Sequence, residues 1–295
     1  MTVPNFFLVG AAKAGTTALT DVLSRHPQFS LPYKEPGYVS GWLQEPYRGL
    51  LAEHHQTRAS KYATLDAYLG LYQGSSRAKI ICDASTSSLP AVRSADVIYA
   101  MAPRAKVMAI LRQPVDRAFS HFSFNRANSV EPETDFLAFI RSEPERIRQR
   151  WIPTSRYMEI SHYPAQVQRF RRRFDPAQLF LITYDDWTDR PQALLSRLQA
   201  FLELDATVKL APGPRRNETA LPRRTWKATA GMRHALKSVL PRWLPALVLR
   251  RIAPAVTTRP RLDPQLRHEL TALYFRADIL ELENMLGRDL SHWLI

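Results

Sequence analysis

Cysteine is nearly missing: the chain holds one, Cys82, in 295 residues. A lone thiol excludes an intramolecular disulfide framework and makes a reducing compartment the expectation. Long apolar runs are missing too. Nothing approaches the roughly 18 consecutive apolar residues that a membrane-spanning helix needs. The first predicted strand starts so close to Met1 that it leaves no room for a signal peptide or an N-terminal anchor, so the expectation is a cytoplasmic protein. No internal repeat or low-complexity tract is visible. Acids are short in one stretch: residues 209–261 carry 13 Lys or Arg against the single Glu218, supplying +12 of the net charge of +14. Such a stripe attracts nucleic acid, anionic lipid or a polyanionic acceptor, or is simply a solvated arginine-rich face.

What is present begins with Gly10-Ala11-Ala12-Lys13-Ala14-Gly15-Thr16-Thr17, which follows the apolar run Phe6-Phe7-Leu8-Val9 and precedes an amphipathic stretch. A strand, a glycine-bearing loop and a helix N-terminus in that order aim backbone N–H groups and the positive end of a helix dipole at one anion. The spacing almost fits the P-loop of nucleoside-triphosphate enzymes, but Thr16 stands where that motif requires lysine. The lysine, Lys13, lies three residues earlier, inside the loop. Triphosphate enzymes combine their lysine with a hydroxyl and an acid that hold Mg²⁺. A sulfuryl group carries less charge than a phosphoryl group, so a cation on the bridging oxygen would suffice without metal. The loop reads as a cradle for a phosphate-sulfate donor, with Lys13 as the cation and Gly15, Thr16 and Thr17 as donors to the 5′-phosphate. The bland alternative is a glycine turn between strand and helix.

Composition is ordinary, 45% hydrophobic and 23% charged, and the length suits one large α/β domain or two small ones. Short apolar runs alternate with amphipathic stretches, the pattern of a parallel sheet. Strands are expected at 6–9, 26–31, 79–82, 106–111 and 179–184, and helices at 15–25, 91–101, 114–126, 161–174, 191–202 and 264–286. Pro114 and Pro191 suit a first helical position, where the missing N–H costs nothing. Residues 36–75 and 127–160 are poorly patterned and are expected as insertions or loops over the site. The expected whole is one domain, 1–295. It has a P-loop-type parallel β-sheet flanked by helices over about 1–205, a basic helical segment over about 206–262, and a C-terminal helix over 263–295 packed on the sheet.

A second anion site follows the run Lys106-Val107-Met108-Ala109-Ile110-Leu111, where Arg112 and Gln113 precede a proline-started helix. Arg112 falls at the carboxyl end of a parallel strand, where open α/β sheets bind ligands. Ser120 follows eight residues later. Arginine and a serine hydroxyl together grip a phosphate, the arginine with a bidentate fork; taken alone, the pair also reads as a surface arginine and a capping serine.

On these residues the chain resembles the sulfotransferases that use 3′-phosphoadenosine 5′-phosphosulfate (PAPS), particularly the branch of heparan sulfate sulfotransferases and bacterial homologues. Lys13-Ala14-Gly15-Thr16-Thr17 is similar to that family's 5′-phosphosulfate loop. Ile110-Leu111-Arg112-Gln113-Pro114-Val115-Asp116-Arg117-Ala118-Phe119-Ser120 is similar to its 3′-phosphate segment. Asp83-Ala84-Ser85, Ser161-His162-Tyr163, the stretch from Phe180 to Trp187 and the ending from Leu286 to Trp293 resemble further segments in the same order. The resemblance implies PAPS as co-substrate without metal, with Lys13, Ala14, Gly15, Thr16, Thr17, Arg112 and Ser120 as donor contacts. It also implies a glutamate as general base, here Glu35 in Tyr33-Lys34-Glu35-Pro36, though this dipeptide is usually a surface Lys-Glu pair. A glutamate near pKa ~4.3 is a weak base that burial would improve. Cytosolic members use histidine, which leaves His54, His55, His121 and His162 as alternatives. The chain departs from the branch in having Gly37, Tyr38 and Val39 after the glutamate, and Ala84 where heparan sulfate enzymes carry a substrate-contacting lysine.

In the basic third, Arg215 and Arg216, or Arg223 and Arg224, fall where the family closes a loop over the 3′-phosphate. Residues 226–252 mix cations with Leu, Val and Trp243 around Pro241 and Pro245, reading either as an interfacial segment on anionic membrane or as two short core helices. The expected activity is sulfuryl transfer from PAPS to a hydroxyl or amine of a glycan, lipid or small metabolite, with peripheral contact to the inner face of the membrane through 226–252 and no specific nucleic acid. A P-loop kinase or NTPase with Asp83 as the Mg²⁺ partner, and a non-catalytic anion- or nucleic-acid-binding protein, are the alternatives.

Overall fold

In the computed structural model, residues 2–49, 53, 57, 61–213, 221–222, 257–258 and 260–295 are described. The apolar runs form five strands: β1 (Phe6–Gly10), β2 (Phe29–Ser30), β3 (Ile80–Asp83), β4 (Lys106–Leu111) and β5 (Leu179–Thr183). They make one sheet in the order β2-β3-β1-β4-β5, every pairing parallel. Every residue of β1 and β3 is buried. This explains why β1, and β3 up to Asp83, read as continuous apolar runs rather than alternating ones.

Parallel neighbours require crossovers, which the helices supply. They are α1 (Thr16–Leu23), α2 (Leu65–Gly70), α3 (Ser94–Met101), α4 (Pro114–Ala127), α5 (Phe136–Arg148), α6 (Tyr163–Arg171), α7 (Tyr184–Asp189) and α8 (Pro191–Leu202). After β1 the chain builds β2 and β3 on one side, then crosses to β4 on the other. The order reverses between β1 and β4, so a crevice opens at their carboxyl ends, between the loops leading to α1 and α4.

Several expectations need correcting. The strand expected at 26–31 shrinks to Phe29–Ser30. A turn in which Phe29 N donates to the His26 carbonyl (3.0 Å) precedes it, and the buried His26 ring bonds the Asp205 carbonyl (3.1 Å). Residues 127–160 are not simply loops, because α5 occupies their middle. Asp135 caps α5 by accepting from Ala138 N (2.9 Å). Its buried face mixes Phe136, Phe139 and Ile140 with Glu143 and Arg146. Arg146 forms a bidentate pair with Glu131, both bonds 2.7 Å. Buried charges and Pro144 inside the helix hid its periodicity. The described part of residues 36–75 likewise contains α2 and three 3₁₀ turns, Tyr38–Ser40, Trp42–Gln44 and Gln73–Ser75.

The C-terminal helix expected at 264–286 is two helices, α9 (Pro264–Leu270) and α10 (Arg276–Leu286), joined by a π turn at Thr271–Phe275. They pack against α4 and α6. Most of the basic segment expected to be helical over 206–262 lies outside the described residues. The described part is turn and coil plus an antiparallel pair, β6 (Leu221–Pro222) with β7 (Thr257–Thr258).

Candidate active site

The first loop turns sharply because Lys13 and Gly15 both take left-handed backbone, φ 71° and 86°. Glycine is needed at the second position. A Cβ there would lie 3.0 Å from Trp187 Cδ1 and 3.2 Å from Tyr184 Cε2. Gly15 is also the N-cap of α1 and has no side chain to cap it, so the first N–H groups of the helix face the crevice. Ala14 departs from expectation. It is fully buried, and its N–H already donates to the Ala11 carbonyl (3.1 Å), so it does not face the crevice.

Cations converge on this helix end. Arg112, just after β4, donates from Nη1 to the Lys13 carbonyl (3.0 Å) and lies 4.8 Å from the Tyr184 ring centre. Lys13 Nζ sits 3.8 Å above the Phe124 ring centre. Burial, then the charges of Arg112, Arg117 and Lys34, lower the Lys13 pKa to about 8. Arg117 lies beneath, 1% exposed, and bonds Ser161 Oγ (2.7 Å), the Tyr157 carbonyl and His121 Nδ1 (3.3 Å), none of them a carboxylate. Lys34, also depressed chiefly by burial, donates from Nζ to Thr17 Oγ1. Glu35 and Asp21 act on Lys34 and Glu143 on Arg117, but the charges that act on Lys13 are all cations, which favours an anion beside it.

Glu35 stands at the same crevice in left-handed backbone, φ 58°. Its N–H donates to the Ala84 carbonyl (3.1 Å), joining it to the end of β3. Its carboxylate is oriented by Thr86, which donates from N to Oε2 (2.9 Å) and from Oγ1 to Oε1 (3.0 Å). Lys13, Thr16, Thr17, Glu35, Arg112 and Ser120 line one cavity of about 1100 Å³. The expected loop, base and 3′-phosphate residues therefore share a site, apart from Ala14.

The alternatives fare differently. His121 lines the cavity, but burial, Arg117 and Lys13 hold its pKa well below the usual histidine value. Because Arg117 donates to its Nδ1, the neutral ring carries its proton on Nε2 and has no free lone pair for a base. His162 instead pairs with Asp278 (2.8 Å). His54, His55, Arg215, Arg216, Arg223, Arg224 and residues 226–252 lie outside the described residues. Asp83, the Mg²⁺ partner an NTPase would need, is 1% exposed and accepts from Tyr68 Oη (2.6 Å) and Tyr72 Oη (3.4 Å). Burial raises its pKa, and it does not reach the cavity.

Among the described residues no His, Cys, Asp and Glu group is placed to hold a metal ion, and no helix is long and apolar enough to cross a membrane. Sequence reading missed Lys34, Thr86, Phe124, Tyr184, Trp187 and the exposed rim residue Arg261, all of which line the cavity. Lys34 left a signal as the neighbour of Glu35, and Tyr184 and Trp187 as members of the Phe180 to Trp187 stretch.

Comparison with known proteins identifies the family. The profile described as "Sulfotransferase family" matches residues 4–207. Human bifunctional heparan sulfate N-deacetylase/N-sulfotransferase 2 is 24% identical over 208 residues, which are 68% of this chain and 22% of that protein. Mouse heparan sulfate glucosamine 3-O-sulfotransferase 3B1 is 23% identical, over 68% of this chain and 46% of that protein. The chain therefore spans less than half the length of either relative. Among solved structures, a sulfotransferase from Alicyclobacillus acidocaldarius matches with a TM-score of 0.74 at 27% identity, 99% of each chain being covered. By profile, by relatives and by its five-stranded parallel sheet, the chain belongs to the sulfotransferase family.

Proposed function

We propose that the chain transfers a sulfuryl group from PAPS to a hydroxyl or amine of a glycan, lipid or small-molecule acceptor by in-line displacement. One observation carries the reading: Lys13, Arg112 and the uncapped end of α1 share a cavity with the Glu35 carboxylate. The cavity suits the donor, since the free N–H groups and the burial-depressed Lys13 are both better satisfied with an anion present. PAPS supplies the activated sulfuryl group.

Lys13 neutralises the bridging oxygen as its bond to sulfur breaks and adenosine 3′,5′-bisphosphate leaves on that oxygen, and Thr16 and Thr17 hold the 5′-phosphate. Arg112 and Ser120 grip the 3′-phosphate. Glu35, oriented by Thr86, takes the proton of the acceptor hydroxyl or amine as its heavy atom bonds to sulfur. Positioning and fixed charge supply most of the acceleration. No metal is required. A cytoplasmic location is part of this reading.

Calorimetric titration with adenosine 3′,5′-bisphosphate, repeated with ATP and Mg²⁺, tests the reading. Metal-free binding of the bisphosphate and weak binding of ATP are expected, and justify an acceptor screen with labelled PAPS. Tight ATP binding with no bisphosphate binding overturns it.

A further inference from the structure

The Arg112–Tyr184 contact at the cavity joins two different βα junctions, and neither junction holds it in place alone. Gln113 follows Arg112, and Asp185 follows Tyr184. Both are bonded by Trp293, near the far end of the chain. The Trp293 carbonyl accepts from Gln113 Nε2 (3.2 Å), and its indole Nε1–H donates to Asp185 Oδ2 (2.8 Å). Trp293 itself is 1% exposed.

Neighbouring contacts reinforce the same two points. Thr271, in the π turn between α9 and α10, accepts from Gln113 Nε2 (2.7 Å). Arg267 pairs with Asp116 in the first turn of α4 (3.2 Å). Arg288 holds Asp186 with bonds of 2.5 and 3.2 Å, and His292 adds a contact of 3.2 Å to Asp185. Among the described residues, the Arg112 side chain bonds the Lys13 carbonyl and stacks on Tyr184, while its backbone interacts with Tyr163. A guanidinium grips phosphate well only when its fork is held in orientation.

We propose that Trp293 is a positioning residue for donor binding: by bonding Gln113 and Asp185 together it sets the orientation of Arg112 toward the donor's phosphate. The inference rests on the reading of Arg112 as a donor contact. The side chain of Trp293 does not line the cavity, so it acts through Arg112 rather than on substrate.

The test is a double-mutant cycle with Trp293→Phe and Arg112→Ala, read as the Kd of adenosine 3′,5′-bisphosphate by calorimetry. Trp293→Phe keeps the buried ring and deletes the indole donor. It is expected to raise Kd about tenfold and to raise the donor KM, while leaving the acceptor KM within twofold. In the Arg112→Ala background the same change is expected to add less than twofold, because residues acting as one unit are not additive.

Additive effects, or an unchanged Kd in Trp293→Phe when Arg112→Ala weakens binding, overturn the positioning role. An unchanged Kd in Arg112→Ala instead overturns the reading of Arg112, and the inference falls with it. A merely structural role lowers the melting temperature and the active fraction without moving Kd. Asp185→Asn provides a second variant if Trp293→Phe does not fold, with the same expected non-additivity with Arg112→Ala.

Discussion

The junctions after β1 and β4 sit side by side at the crevice, and their helix ends are built differently. After β1 the helix end is open: Gly15 is an N-cap without a side chain, and α1 carries no acid in its first turn. After β4 the helix end is closed. Gln113 Oε1 accepts from Asp116 N (2.7 Å), Pro114 takes the first position, and Asp116 adds a negative charge to the first turn. A capped, acid-bearing helix end repels an anion. The second junction therefore has to reach out with the Arg112 side chain, whereas the first presents its backbone. The same βα architecture thus carries two different helix ends, separated by glycine against glutamine at the cap and by the proline and acid that follow the glutamine.

Mutation of the two junctions should separate them by kind of effect. Lys13→Ala on the open side is expected to lower kcat by about 10³-fold and also to weaken bisphosphate binding, measured by radiolabel transfer and calorimetry. Glu35→Gln is expected to lose turnover to a similar degree with donor Kd within twofold. Wild-type activity of that variant on the true acceptor would remove the base assignment. On the closed side, Arg112→Ala is expected to raise donor Kd by about 10- to 100-fold while kcat falls less than tenfold. A larger loss of kcat than of affinity would break the contrast.

Gly15→Ala places a side chain on backbone at φ 86° and against Trp187, and should cost about 2 kcal/mol of stability in urea unfolding. The smallest effect is with pH. Lys13 titrates at about 8 in the folded chain, below its ordinary value of 10.5, so it is a cation at pH 7 and largely neutral by pH 9. Bisphosphate affinity should fall several-fold over that interval in wild type, and the step should disappear in Lys13→Ala. Sign also follows for stability. Between pH 8 and 10.5 the unfolded chain holds a proton on Lys13 that the folded one has released, so this group makes the unliganded fold more stable as pH rises through that window.

The legible parts were those where function and local chain coincide. β4 runs over the expected 106–111 because an uninterrupted apolar run ends at Arg112 and Pro114. The Lys13 to Thr17 loop was legible because glycine, lysine and threonine fall within a few residues. Contacts made through space were not. Thr86 orients Glu35 from 51 positions away, and Trp187 closes on Gly15 from helix α7. Ala14 was misplaced for the converse reason: adjacency in sequence says nothing of whether a small residue turns its N–H outward or into the turn. Helix α5 was missed because Glu143, Pro144 and Arg146 interrupt the apolar spacing that Phe136, Phe139 and Ile140 begin.

The single thiol offers a use of its own. Cys82 lies in the middle of β3, fully buried, with burial and the neighbouring Asp83 holding its pKa well above the ordinary thiol range. A thiol reagent therefore has no reaction with the closed protein and must wait for the sheet to part. Labelling rate at Cys82 becomes a stopwatch for opening of the sheet beside the site, in the unmodified chain and without a dye. Slower labelling when adenosine 3′,5′-bisphosphate is added would report, at a residue that touches no ligand, how far donor binding tightens the strand below Glu35.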